Sequence, residues 1–212
     1  MSSLALDTRA GDNQTYFESQ ARSIANEKTR RALLAISAVV FCIAALSIWH
    51  FTFDDSYIGF RYAEHLAKGF GLVYNVGERV EGYTDFLGVV ALAGLAKTGV
   101  GLITGSKILA LLLSLSTLLA AYLLCRAVSA RRSPICGAAL LLTATSTFFI
   151  TSAITGLETP LFTALLCWAL VAYLNAYRTS GRRARAWWMA AAVLFALLVM
   201  TRPDGALIYA VL

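Results

Sequence analysis

Long apolar runs with no charged residue constrain this chain more than any other feature. The runs are Ala32–Trp49, Ile108–Leu124, Ile135–Ala153, Pro160–Leu174, Ala186–Met200 and Ala206–Leu212. A membrane-spanning helix needs about 20 mostly apolar residues, and a soluble domain could not cover so many such runs. The sequence therefore predicts an all-α fold, a polytopic bundle of transmembrane helices that span about 32–50, 108–125, 135–153, 160–176, 186–200 and 206–212 onward. Because the last run is short, we expect the chain to be the amino-terminal fragment of a longer protein.

The composition favours a lipid bilayer over nucleic acid as the partner of this chain. It is 58% hydrophobic and only 14% charged, whereas soluble domains carry about 25% charged residues. The net charge is +6, but the Lys and Arg residues flank apolar runs and form no stripe interleaved with aromatic residues. Residues 1–31 are polar and weakly patterned, which predicts a disordered cytoplasmic tail.

The polar stretch between the first two runs, residues 51–107, is predicted to be an external loop. Asp54 or Asp55 can cap a short helix that ends near Gly69. Three apolar residues recur along this helix at four-residue spacing: Ile58, Tyr62 and Leu66. Such a stripe predicts an amphipathic helix lying on the membrane surface.

The run Phe86–Ala96 decides the predicted topology. It has about eleven residues, too few for a span, which favours an interfacial or re-entrant segment. If it does not cross, the tail and the loops 126–132 and 178–185 share the cytoplasmic side and hold twelve of the eighteen Lys and Arg residues. If it crosses, the cytoplasmic side holds eight. The positive-inside rule favours the first topology.

In that topology the acidic residues at the ends of several spans share the outer face. Asp54 and Asp55 follow the first span, where a carboxylate could act as a general base; capping of the short helix is the structural alternative. Glu158 lies in a short turn before Pro160, the expected first residue of the next helix. It is a candidate second acid, and a favourable charge at a helix start is the alternative.

Arginines on the same face are candidates for binding phosphate, because a guanidinium offers several donors in a fork. The candidate substrate-binding residues are Arg61, Arg79, Glu81, Arg202 and Asp204. Solvated surface charges are the alternative for the first three, and an ion pair at a helix break is the alternative for the last two. The sequence shows no metal-ligand spacing, so we predict no metal site from the residues alone.

Four short motifs of this face resemble the GT-C superfamily of membrane glycosyltransferases, which use polyprenyl-phosphate-linked sugars. The motifs are Asp54-Asp55, Asn75-Val76-Gly77-Glu78-Arg79-Val80-Glu81, Thr155-Gly156-Leu157-Glu158 and Arg202-Pro203-Asp204. They are most similar to the branch that includes the terminal arabinofuranosyltransferase of the mycobacterial cell wall. Thr155 stands where that branch usually has Ser, and Asp85 where Asn is common, which leaves the sugar and the acceptor open.

The resemblance implies a GT-C-like fold with its catalytic acid in the first external loop. It implies a multi-pass protein of the bacterial inner membrane, with its site on the periplasmic or extracellular face. The donor would be a polyprenyl-phosphate-linked sugar, and the acceptor a glycan or a lipid. Asp54 or Asp55 would be the base, Glu158 would position the acceptor or a metal, and arginines would bind phosphate. No cofactor is certain, and a divalent cation, Mg²⁺ or Mn²⁺, stays open.

Two other functional classes remain open from the sequence. A transporter or flippase of a lipid-linked substrate would use its acids to bind ions or protons within the bilayer. A membrane scaffold would use the outer loop to bind partners. The placement of the acids at the membrane boundary, rather than at its midplane, favours the enzyme. We expect the fragment alone to be inactive.

Overall fold

The computed structural model describes residues 27–128 and 135–211, and these residues contain helices but no strand. Most of the predicted tail, the arginines at 131 and 132, and Leu212 lie outside the described residues. In chain order the helices are α1 (Glu27–Ser47), α2 (Ser56–Ala67), α3 (Phe86–Ala96), α4 (Leu102–Val128), α5 (Ile135–Thr145), α6 (Thr147–Thr155), α7 (Thr159–Arg178), α8 (Gly181–Thr201) and α9 (Asp204–Val211).

Four single helices, α1, α4, α7 and α8, are long and apolar enough to cross a membrane. The pair α5 and α6 passes the same test together, although the two helices are bent by 49° at Ser146. Helix α3 is apolar but has only 11 residues. The prediction of an all-α, multi-pass membrane protein is confirmed at this level, with four or five candidate spans among the described residues.

Helices α1 and α4 run antiparallel and are tied together at both ends. At one end the Lys107 ammonium donates to the carbonyls of Trp49 (2.5 Å) and Phe51 (2.8 Å). At the other end Glu27 accepts from the Tyr122 hydroxyl (3.0 Å) and pairs with Arg126 (3.4 Å). The segment between these two helices therefore leaves and re-enters the bundle at the same end, which we call the Lys107 end.

Small residues allow the spans to pack closely, as is common between helices in membranes. Ala45 of α1, Leu118 of α4 and Ala144 of α5 are fully buried together with Phe41 and Ile154. Larger apolar side chains point outward, including Ile43 (65% exposed) and Leu142 (71% exposed). Because so much apolar surface faces outward, a lipid environment accounts for this bundle better than water does.

Helix α2 packs on α3 through Phe60, Tyr62, Ala63, Val89 and Leu92. This burial differs from the predicted surface stripe: Tyr62 is buried, but Ile58 is 40% exposed. The face of α2 that is buried is the one that α3 covers, and the sequence of α2 alone does not contain that information. The amphipathic surface helix therefore stays an unconfirmed part of the prediction.

Two helices begin earlier than their apolar runs. Helix α1 already includes Glu27, inside the predicted tail of residues 1–31, and α4 starts at Leu102, inside the predicted loop of residues 51–107. Both extensions carry polar residues that have partners in the fold. Glu27 pairs with Arg31 one turn along the same helix (3.2 Å), and Lys107 is satisfied by carbonyls at the end of α1. Paired polar groups can extend a helix beyond its apolar core.

Candidate functional site

The loop that carries Asp54 and Asp55 is hydrogen-bonded to the turn before α7. The backbone N–H of Phe53 donates to the Thr155 carbonyl (3.1 Å), and the Ser56 hydroxyl donates to the same oxygen (2.6 Å). Thr155 is the last residue of α6, so its carbonyl has no partner within that helix. Two hydrogen bonds on one carbonyl bring the loop of Asp54 and Asp55 to the turn that contains Glu158.

Both aspartate side chains are exposed at the start of α2. Asp55 occupies the N-cap position, but its side chain makes no capping hydrogen bond, and its backbone is already helical (φ −59°, ψ −23°). The prediction that one of these carboxylates caps the helix is therefore wrong. The cap geometry fails because a capping residue normally has extended backbone angles. Helix capping therefore does not explain why two aspartates, Asp54 and Asp55, stand at this position.

Gly156 makes the close approach of α2 to this turn possible. Its φ is +84°, and a Cβ atom there would lie 2.8 Å from Phe60 Cζ and 3.3 Å from the Ser56 Cβ. Any other residue would be strained by the left-handed backbone and would also displace α2. The glycine of the Thr155–Glu158 motif thus has a structural reason in this fold.

Replacing Gly156 by Ala is expected to lower the melting temperature of the purified protein and to loosen the start of α2. The matched control is Gly69→Ala, which has nearly the same φ (+86°) but no atom within 4 Å of the added Cβ. Both variants pay a backbone cost of about 1–2 kcal/mol, and overpacking at Gly156 adds roughly 1–3 kcal/mol. Equal losses of thermal stability in the two variants would contradict this packing.

Glu158 and Arg202 come together across the ends of α7 and α8. The Arg202 guanidinium lies 4.0 Å from Glu158 Oε1 and 3.4 Å from Asp204 Oδ2. It also lies over the Phe162 ring at 5.9 Å. The ion pair of Arg202 with Asp204 that the sequence left open is present, and Glu158 joins it. A guanidinium held between two carboxylates and a ring has a defined position from which to meet an anionic group.

Asp85 is the residue that the sequence interpretation missed as a site candidate. It caps α3, and its Oδ1 accepts from the Gly88 N–H at 2.8 Å. Burial raises the pKa of this carboxyl from 3.8 to about 7; the Gly88 N–H opposes that rise, and the nearby Glu158 carboxylate adds to it. An Asp directly before an apolar helix is a sequence signal for a cap, but its burial depends on distant parts of the chain.

Asp85 and Glu158 line one cavity of about 30 Å³, together with Gly88, Ser106, Leu109 and Leu161. That volume holds about one water molecule. The cavity is formed by α3, α4 and the turn before α7, so three separate segments bring the two carboxyl groups together.

The remaining candidates lie elsewhere in the external segment. The Arg61 Nε donates to the Tyr74 carbonyl (3.1 Å), and its guanidinium lies 5.5 Å from the centre of the Tyr74 ring. Arg79 and Glu81 are exposed and line a separate cleft of about 400 Å³ with Phe70. The structure therefore groups Arg202 and Asp204 with Glu158, whereas Arg61, Arg79 and Glu81 stand apart from that group.

The site thus combines exposed carboxylates, the half-buried Asp85 carboxyl with its raised pKa and an arginine, all at the Lys107 end of the bundle. Such a set can accept a proton, donate one and stabilise a nearby anion. Within residues 27–128 and 135–211, no group of three or more His, Cys, Asp or Glu is arranged to hold a metal ion.

Comparison with known proteins adds no assignment to this geometry. No protein-family model, no curated protein and no solved structure matches the chain. The features of this chain that bear on its function are therefore the motifs of the external segment and the contacts of the Asp54–Asp55 loop, Glu158 and Arg202.

Proposed function

We propose that this chain is part of an integral membrane glycosyltransferase of the GT-C type. It moves a sugar from a polyprenyl-phosphate donor to a glycan or lipid acceptor outside the cytoplasm of a bacterium. The observation that carries this proposal is the attachment of the Asp54–Asp55 loop to the Thr155 carbonyl, because it brings those acids to the turn of Glu158 and so towards Arg202.

The chemistry of transfer needs groups of this kind. An acceptor hydroxyl must lose its proton as it attacks the anomeric carbon, and a carboxylate beside it serves as the base. The leaving lipid phosphate gains negative charge, which an arginine can stabilise. In the proposal Asp54 or Asp55 is the base, Arg202 meets the phosphate and Glu158 fixes the position of the acceptor or of Arg202. The outward apolar surface of the bundle lies beside the polyprenyl chain.

One observation favours a second candidate, a proton-coupled transporter of a lipid-linked substrate. Asp85 is a half-buried carboxyl whose pKa is raised to about 7, and carboxyls with a raised pKa carry protons in many transporters. The exposure of Asp54 and Asp55 at the end of the bundle fits a base in contact with an acceptor better than an ion site within a bilayer.

A transfer assay separates these candidates. The full-length protein is reconstituted and given a panel of polyprenyl-phosphate-linked sugars with an extract of cell-envelope acceptors. The enzyme proposal expects one donor to be consumed with release of polyprenyl phosphate and formation of a glycosylated acceptor. Movement of an intact lipid-linked sugar across the bilayer, with no bond broken, would instead support the transporter.

The proposed side of the membrane can be tested by labelling with an impermeant thiol reagent. In a variant without the four natural cysteines, a cysteine replacing Tyr57, which is 49% exposed, is expected to react from outside intact cells. A cysteine replacing the exposed Ser180 at the other end of the bundle is expected to react only after permeabilisation. This follows from the positive-inside rule. The reverse pattern would invert the orientation.

A further inference from the structure

A second cavity lies at the end of the bundle opposite the candidate site. It measures about 340 Å³ and opens between the last turns of α4 and α7. Its apolar walls include Leu123, Leu124, Val171 and Leu174, and its polar lining comes from Arg126, Asn175 and Arg178. Pockets for small molecules and headgroups typically begin at about this volume.

The two arginines of this cavity are held in place by the fold. Arg126 pairs with Glu27 at 3.4 Å and lies over the Tyr122 ring at 5.6 Å. Arg178 donates to the Ala127 carbonyl at 2.5 Å. Each guanidinium has five N–H donors in a fixed fork. These contacts orient both groups at the cavity while leaving it room for an oxygen-rich anion.

The charge around the cavity is strongly positive. Glu27 is the single acidic residue of the described chain at this end, and it is shared between Arg31 and Arg126. Further basic residues at the same end are Lys28, Arg30, Arg182, Arg183 and Arg185. The helix ends of α4 and α7 contribute only partial negative charge, which Arg126 and Arg178 offset as basic residues in the last turns. A net attraction for anions remains.

The depth of the cavity restricts which anion can reach it. Arg126 and Arg178 end the apolar stretches of two candidate spans, which is the level of the lipid headgroups. The leucine and valine walls continue from the arginines towards the middle of the spans. A site that is cationic at the headgroup level and apolar below it matches a lipid with a phosphate head rather than a free ion.

We propose that the cavity between α4 and α7 binds the phosphate headgroup of an anionic phospholipid, with Arg126 and Arg178 as its ligands and an acyl chain along the leucine walls. The site is separate from the proposed transferase site and does not depend on it. It holds a lipid of the bilayer at the junction of α1, α4 and α7.

The test is native mass spectrometry of the full-length protein released from bilayers that contain phosphatidylglycerol and phosphatidylcholine in equal amounts. We expect the protein to retain phosphatidylglycerol selectively. The Arg178→Gln variant is expected to weaken that retention roughly tenfold to a hundredfold, because charge-assisted hydrogen bonds to the phosphate are lost. The matched control is Arg185→Gln, an exposed arginine of the same end that does not line the cavity.

Arg126→Lys provides a second variant that preserves the fold, since a lysine can still pair with Glu27 but lacks the fork. It is also expected to lose retention, with an unchanged circular dichroism spectrum. Equal retention of phosphatidylcholine, or an equal loss in the Arg185→Gln control, would overturn the proposal. Displacement of the bound lipid by millimolar inorganic phosphate would overturn the assignment to a lipid.

Discussion

Replacing Asp54 or Asp55 by Asn is expected to reduce sugar transfer by the full-length protein roughly a hundredfold to ten-thousandfold. A general base that loses its carboxylate can no longer accept the proton of the acceptor hydroxyl. The fold should be unaffected, because both side chains are exposed and the one at the N-cap makes no capping hydrogen bond. Surface changes of this kind usually alter stability by no more than about 0.5 kcal/mol.

The measurement compares initial transfer rates and melting temperatures of the two variants with those of the unmodified protein. Glu64→Gln is the matched control, since Glu64 is a carboxylate of the same external segment that lies outside the four motifs; its side chain is 44% exposed and pairs with Lys68. We expect the transfer rate of this control to stay within about twofold of that of the unmodified protein, because an exposed charge away from the reacting atoms has little effect. Near-normal transfer by both aspartate variants would remove this loop from the catalytic site.

The second large effect is expected in the pH dependence of stability. Folding raises the pKa of Asp85 from 3.8 to about 7 through burial, with a further contribution from Glu158. Between these two values the unfolded chain is ionised at this position while the folded chain keeps its proton. The contribution of Asp85 to the free energy of unfolding is therefore greatest below about pH 4. It falls as the pH rises towards 7, by on the order of 4 kcal/mol in total.

The Asp85→Asn variant should remove most of that fall. Asn is an effective N-cap residue and can still accept from the Gly88 N–H. We expect the variant to melt several degrees higher than the unmodified protein at pH 8 and at a similar temperature at pH 4. Thermal melts at intervals between these pH values provide the measurement, with Glu78→Gln as the carboxylate control. A variant with the same pH profile as the unmodified protein would show that Asp85 is not buried in this way.

The all-α membrane architecture could be predicted from the sequence because it depends on local properties. Five of the six apolar runs have 15 to 19 residues, close to the length of a span, whereas Phe86–Ala96 has 11; the structure has a helix over those same residues. The proximity of Glu158 to the Arg202–Asp204 pair could also be predicted. Glu158 precedes α7 and Arg202 follows α8, so the two residues lie at the same end of a pair of consecutive helices.

The raised pKa of Asp85 and the separation of the arginines could not be predicted in this way. The environment of Asp85 is completed by Ser106 and Glu158, which are distant in sequence, so no local pattern reports it. Arg61 is a residue type that often binds phosphate, yet its side chain donates to the Tyr74 carbonyl and lies over the Tyr74 ring. The cap predicted for the aspartate pair failed because the backbone is helical one residue early.

The bend between α5 and α6 lies one short helix away from the proposed site. Helix α6 has nine residues, so the Thr155 carbonyl lies about 13 Å from the break at Ser146. The loop of Asp54 and Asp55 is hydrogen-bonded to that carbonyl, and the turn of Glu158 follows directly after Thr155. A change of about 10° in the tilt of α6 would therefore carry the loop and the turn together by about 2 Å. Because α2 also packs on α3, the helix that Asp85 caps, such a tilt would have to repack that contact as well.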